Sequence, residues 1–170
     1  MARLFPRAKR IGLVYDKRNT GNFVKEAMAI SSLKRFEIIA LEASNPGQAA
    51  ALIQTLRGKI DVCWIVPDPT VATTGTVDSI LLFSFQNNVP VVSFAKKHVK
   101  MGALASLSVS PFDLGAQTGE IALKKLSNSR SGIPALSNPQ SITLSINKKM
   151  AEKLGIPLTD AVLREAGEVY

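Results

Sequence analysis

Residues that could do chemistry are scarce in this chain of 170, which holds one cysteine, Cys63, and one histidine, His98. Tetrahedral zinc sites draw mostly on those two residue types, so the ligand supply excludes one. A single thiol also excludes an internal disulfide framework. A serine or cysteine nucleophile needs a base within reach, yet no nucleophile-elbow pattern surrounds any serine, and His98 sits in "AKKHVK", which reads as a solvated, lysine-flanked turn. Neither G-x-x-x-x-G-K-[ST] nor G-x-G-x-x-G occurs, so no glycine-rich phosphate loop is present. A phospho-acceptor site of the receiver kind would need carboxylates at the ends of the first and third strands; Asp16 fits one place, but Val66 stands at the other. Magnesium held by Asp16 and Asp68 has no further support. The expectation is a protein without cofactor, metal or enzymatic activity.

What the chain does supply is hydrogen-bonding groups at places where helices begin. The stretch "DVCWIVPDPTVATT", residues 61–74, runs from a buried strand into Pro67, Asp68 and Pro69, and then into threonines. A residue before proline avoids the helical region, so Asp68 is held extended at the strand's end. Free N–H groups and the helix dipole favour a carboxylate or similar anion at a helix start. Asn22 at the first helix, Thr70, Thr73 and Thr74 ahead of the third, and Ser93 after the fourth strand could ring a small polar solute, with Asp16 at the end of the first strand beside them. Any one of them alone serves equally as a helix cap or turn former.

The elements that must position these groups alternate. "RIGLVY" (10–15), "FEIIALEA" (36–43), "DVCWIV" (61–66), "VPVVSF" (89–94) and "GALASLSV" (102–109) read as strands. Between them, "NTGNFVKEAMAISSLKR" puts Phe23, Ala27, Ile30 and Leu33 near one helical face, with Asn19, Thr20 or Asn22 as cap. "NPGQAAALIQTLRG" opens on Asn45-Pro46 and closes on Gly58, "TVDSILLFSFQNN" aligns Val77, Ile80, Leu81 and Ser84, and "SPFDLGAQTGEIALKKL" opens on Ser110-Pro111. Residues 127–139 form a long loop, after which 140–170 hold a strand, "SITLSIN", and helices over "KKMAEKLG" and "PLTDAVLREAGEV". Alternation of this kind implies a parallel sheet with crossover helices, whose ligand site lies beyond the carboxyl ends of the strands.

Bulk properties agree with one domain, since a chain of this length buries roughly 70% of the surface its unfolded form exposes. The net charge of +8 raises the question of nucleic acid. Most of its basic residues are spread over six short segments without interleaved exposed aromatics, so no specific nucleic-acid site is expected. Apolar runs such as "SILLF" fall far short of the ~20 residues a membrane helix needs. The N-terminal stretch lacks the apolar core of a secretory signal.

The chain resembles the substrate-binding proteins of ABC transporters, of the type I periplasmic-binding kind that includes aromatic amino-acid receptors. The resemblance is carried by "LFPRAKRIGLVYD", "VPDPTV", "LLFSFQNNVPVVSFAKKHVKMGALASLSVSPFDLGAQTGEIAL" and "LSINKKMAEKLGIPLTDAVLREAGEV". It implies an α/β fold with a three-layer, doubly wound, mostly parallel sheet of flavodoxin-like or Rossmann-like type. Residues 1–170 would form a single lobe matching the C-terminal lobe of a two-lobed protein, with a core at about 9–126. The segment from about Met101 onward would partly cross towards the other lobe. Asn22, Asp68, Thr70, Ser93, Phe94 and Ala95 match loop positions that line the cleft. The implied partners are a small organic solute such as an amino acid and, for a two-lobed protein, an ABC permease, in an extracytoplasmic setting. A cytosolic ligand-sensing module of the same fold, and a lobe that forms a homodimer through its exposed cleft face, are the alternatives.

Overall fold

A computed structural model of the chain describes residues 4–33, 36–127 and 137–170. Its centre is a seven-stranded sheet in the order β2-β1-β3-β4-β5-β6-β7. The strands are β1 (Arg10–Tyr15), β2 (Glu37–Glu42), β3 (Val62–Trp64), β4 (Val91–Ser93), β5 (Ala105–Ser108), β6 (Thr143–Ile146) and β7 (Glu168–Val169). The first five pair in parallel, β6 is antiparallel to β5, and β7 is parallel to β6. This is the doubly wound α/β fold that the alternating pattern implies, with the chain order reversing direction between β1 and β3.

Helices cover both faces. Helices α2 (Pro46–Gln54) and α3 (Thr74–Asn87) join Val14, Cys63, Ile65 and Val91 in one core through Ala49, Ile53, Val77, Ile80 and Phe83. On the other face Val24 of α1 (Lys17–Ser32) packs with Leu13 and Val66. There too, Ala151 of α6 (Lys148–Lys153) and Val162 of α7 (Asp160–Glu165) pack with Val62, Val92, Ala105 and Ile146. Burying one such aliphatic side chain contributes about 1.5–3 kcal/mol, which is what fixes the layers. Gly12 shows how closely they approach, since a Cβ there would lie 2.6 Å from Ile60 Cγ2 and 3.0 Å from Leu56 Cδ1.

Several local expectations are corrected. Asp16 caps α1, accepting from the Arg18 N–H, so the helix starts before Asn19, Thr20 and Asn22. The face expected to be buried is largely exposed, because Val24 makes the core contact while Phe23, Ile30 and Leu33 are 42%, 60% and 81% accessible. The turn expected over "AKKHVKM" is a helix, α4 (Lys96–Met101), ended by Gly102 at φ 126°. The final helical segment is shorter than expected, and its last residues form β7 instead. The expected caps at Asn45 and Ser110 are present, and Thr73, singled out as a solute contact, caps α3; each accepts from an N–H three residues on. The long loop at 127–139 lies mostly outside the described residues.

Helix α5 (Pro111–Leu126) packs least. Its one buried residue is Gln117, while Phe112, Leu123 and Leu126 are 82%, 69% and 82% exposed. Among the described residues, no helix is long and apolar enough to cross a membrane.

Candidate functional site

Parallel pairing of β1 with β3 brings two acids together at the carboxyl edge of the sheet. Asp68 is fully buried. Its Oδ2 accepts from the Asp16 N–H at 2.8 Å and from the Thr20 hydroxyl at 2.5 Å. Its Oδ1 accepts from the N–H groups of Thr70 at 2.8 Å and Val71 at 3.3 Å. Between two prolines that donate no hydrogen bond, Asp68 thus ties its own turn to the start of α1. A buried carboxylate is tolerated only when so satisfied.

Asp16, 2% exposed, completes the rim. The Arg18 guanidinium bonds both of its oxygens, at 3.0 and 2.6 Å, and holds its carboxyl well below the usual carboxylate range. The Thr70 hydroxyl donates to Asp16 Oδ2 at 3.0 Å and accepts from Asn19 Nδ2 at 3.0 Å. Arg18 reaches on to the Ser44 carbonyl at 3.0 Å, after β2. The loops after the first three strands are therefore fixed to one another, and Arg18 and Asn19 face solvent above them.

A second feature lies along the same edge, beyond β4 and β5. A pocket of about 370 Å³ is lined by Phe94, Ala95, Lys96 and Lys97 from one side and by Ser108, Thr143 and Glu168 from the other. Its volume falls within the range of small-molecule sites, about 300–1,000 Å³. Glu168 anchors its wall, accepting from Lys96 Nζ at 2.9 Å, the Tyr170 hydroxyl at 2.7 Å and the Ser145 hydroxyl at 3.1 Å. Lys96 and then Tyr170 hold the Glu168 carboxyl down at about 2.

Ser93 does not face this pocket with a free hydroxyl. Its Oγ lies 2.6 Å from His98 Nδ1, and both residues are buried. The expectation of a solvated His98 is overturned, because α4 folds it against the sheet with the Phe94 ring edge-on at 5.5 Å. Burial, and then the Lys97 charge, lowers the His98 pKa, favouring the neutral ring. Ser93 stands beside Ser106 in the ladder, and Ser106 beside Ser145. The Ser106 hydroxyl is buried and has no partner among the described residues.

Of the residues singled out from sequence, Asp16, Asp68 and Thr70 therefore meet in the rim, and Phe94 and Ala95 line the pocket. Asn22 is exposed in the second turn of α1, outside the bonded set. Arg18, Asn19, Lys96 and Glu168 take structural parts that sequence reasoning did not give them. Arg18 two places after an acid was a readable signal; Lys96 and Glu168, 72 residues apart, left none. A larger hollow of about 680 Å³ lies at the opposite edge, between Leu4, Phe5, Pro90 and Ile156. It adjoins the amino ends of β3 and β4, where sheets of this kind do not place ligands. Among the described residues, no group of three acids, histidines or cysteines could hold a metal ion.

Comparison with known proteins gives this edge its context. The family described as ABC transporter substrate binding protein matches residues 1–170. The chain belongs to that family. Its members are solute-binding proteins rather than enzymes, and are extracytoplasmic or surface-associated. A tyrosine-binding protein of Clostridioides difficile (strain R20291) is 24% identical over 153 residues, covering 89% of this chain and 44% of that protein. An ABC domain from Streptococcus pneumonia, solved in complex with L-Trp, is 26% identical with a TM-score of 0.80, covering 99% of this chain and 57% of that one. A conserved domain protein from Vibrio cholerae is 27% identical with a TM-score of 0.80 over the same shares. The chain thus spans about half the length of the relatives it matches.

Proposed function

We propose that this chain is a solute-binding lobe of an ABC-type uptake system, holding a small organic solute such as an amino acid at the carboxyl edge of its sheet. One observation carries the reading. A rim preorganised by Asp16, Asp68 and Thr70 and a pocket walled by Phe94, Lys96 and Glu168 share that single edge. Similarity to proteins whose descriptions name tyrosine and L-Trp makes aromatic amino acids the first solutes to test. Residues 1–170 would act as one lobe of a two-lobed receptor that delivers solute to an ABC permease outside the cytoplasm.

A library of amino acids and small carboxylates, screened by thermal shift, tests the reading. Ligand that binds only the folded state stabilises it by RT ln(1 + [L]/Kd), or about 2.7 kcal/mol at a hundredfold excess over Kd. The reading expects a concentration-dependent rise in melting temperature. No shift from any solute, on this chain and on a two-lobed version carrying it, overturns the reading.

Self-association is a second reading, favoured by the outer stripe of α5, where Phe112, Leu123 and Leu126 stand open to solvent. Exposed apolar surface of this kind marks an interface. Sedimentation of this chain at high concentration expects a dimer on that reading, and a monomer dismisses it.

A further inference from the structure

The charge in the pocket beyond β4 and β5 does not balance. Its lining carries two lysines, Lys96 and Lys97, and one carboxylate, Glu168. Lys96 is already spent on that carboxylate at 2.9 Å, and the other carboxylate oxygen takes the Tyr170 and Ser145 hydroxyls. Lys97 is exposed on the same wall, and no ion pair is recorded for it among the described residues. Opposite it, Ser108 and Thr143 face each other across the β5–β6 ladder. Neither hydroxyl takes part in a side-chain hydrogen bond recorded among the described residues. The Phe94 ring, half-buried with its place set by His98, supplies an apolar wall.

We infer that this pocket selects a solute of net negative charge, an aromatic or similarly apolar carboxylate, over a neutral amino-acid zwitterion. The inference rests on the solute-binding reading above and puts an aromatic carboxylate ahead of the amino acids named there. Lys97 serves as counter-ion to the carboxylate, Ser108 and Thr143 donate to its oxygens, and Phe94 packs on the apolar part. Charge-assisted hydrogen bonds of this type are about twice as strong as neutral ones. An ammonium group placed in the same pocket meets an uncompensated lysine, and the carboxylate that would receive it already carries three donors. Like charges brought together in that way lose affinity.

The test compares two probes that share a ring and a carboxylate and differ in the ammonium, 3-phenylpropionate and L-phenylalanine, by calorimetry on the full chain. The expected result is tighter binding of 3-phenylpropionate, weakened by added salt and by about tenfold in Lys97→Met, a loss appropriate to one charged hydrogen bond. Lys97 is exposed, so an unchanged melting temperature of the free variant confirms that folding is intact. Equal or tighter binding of L-phenylalanine, or an unaltered affinity in Lys97→Met, overturns the inference and leaves the solute-binding reading standing. Silence from both probes while another solute of the library binds overturns it too. Silence from every solute removes the reading on which it rests.

Discussion

Replacing Asp68 should unfasten the strand edge more than any other single change there. Asp68→Ala leaves the Asp16 and Thr70 N–H groups and the Thr20 hydroxyl without their acceptor, two of them in residues at most 9% exposed. Each buried donor so abandoned costs about 1–3 kcal/mol, and the Thr20 hydroxyl can rotate to recover part of its share. The sum is about 3–5 kcal/mol, against a whole-domain stability of about 5–15 kcal/mol. Asp68→Asn keeps one carbonyl oxygen for Thr70 and Val71 but turns an amide donor towards the Asp16 N–H. Its cost should be smaller, about 1–3 kcal/mol. Urea unfolding followed by circular dichroism reads both. With a slope of about 1–3 kcal/mol/M, the alanine variant should lose about 2 M in its midpoint. A loss within about 0.5 kcal/mol for D68A, or a D68N variant less stable than D68A, would refute the account of Asp68 as the common acceptor.

Three further outcomes are expected. Gly12→Ala drives a methyl to within 2.6 Å of the buried Ile60 side chain, and overpacking of that kind should cost about 1–3 kcal/mol in the same unfolding assay; neutrality would show that the segment between α2 and β3 can retreat. Burial pushes the Cys63 thiol up to about 12, so a maleimide should label it only as fast as the chain unfolds, and rapid labelling of the native protein contradicts its placement. Stability should fall in acid. Burial raises the Asp61 pKa, but Arg10 and the N–H groups of Lys9 and Arg10 outweigh it and hold the carboxyl at about 2, as Lys96 and Tyr170 hold Glu168. Both folded values lie below the unfolded ones of about 4, so their contribution is complete above that pH and disappears as pH drops through about 2. The double variant D61N/E168Q should show a shallower loss between pH 4 and 2, and a slope equal to the parent's would refute the assignment.

What the sequence disclosed and what it hid divide along physical lines. Helix starts at Asn45-Pro46 and Ser110-Pro111 are legible because capping is settled within four residues. The β/α alternation was legible because each strand carries its own run of apolar or β-branched residues. The cap at Asp16 is hidden in the sequence because Asn19, Thr20 and Asn22 offer equally good local chemistry, and only the distant Asp68 carboxylate fixes the chain one turn earlier. His98 was misjudged for a related reason. Flanking lysines describe its neighbours in sequence, whereas Ser93 and Phe94 describe its neighbours in space. β7, two residues long, exists only as a partner for β6, and the Glu168 anchor depends on Lys96, far back in the chain. In the candidate site, the rim could be guessed from strand-end polar residues, but the pocket's far wall could not.

That far wall has a bearing on the order in which the molecule is made. The chain emerges from synthesis with its amino end first, and domains tend to fold as they emerge. Strands β1 to β5 and the acids of the rim are all complete by Ser108. Thr143 and Glu168, by contrast, follow only after β5, α5 and the long loop have been made. A nascent chain can therefore own a finished rim while the candidate pocket is still missing a side.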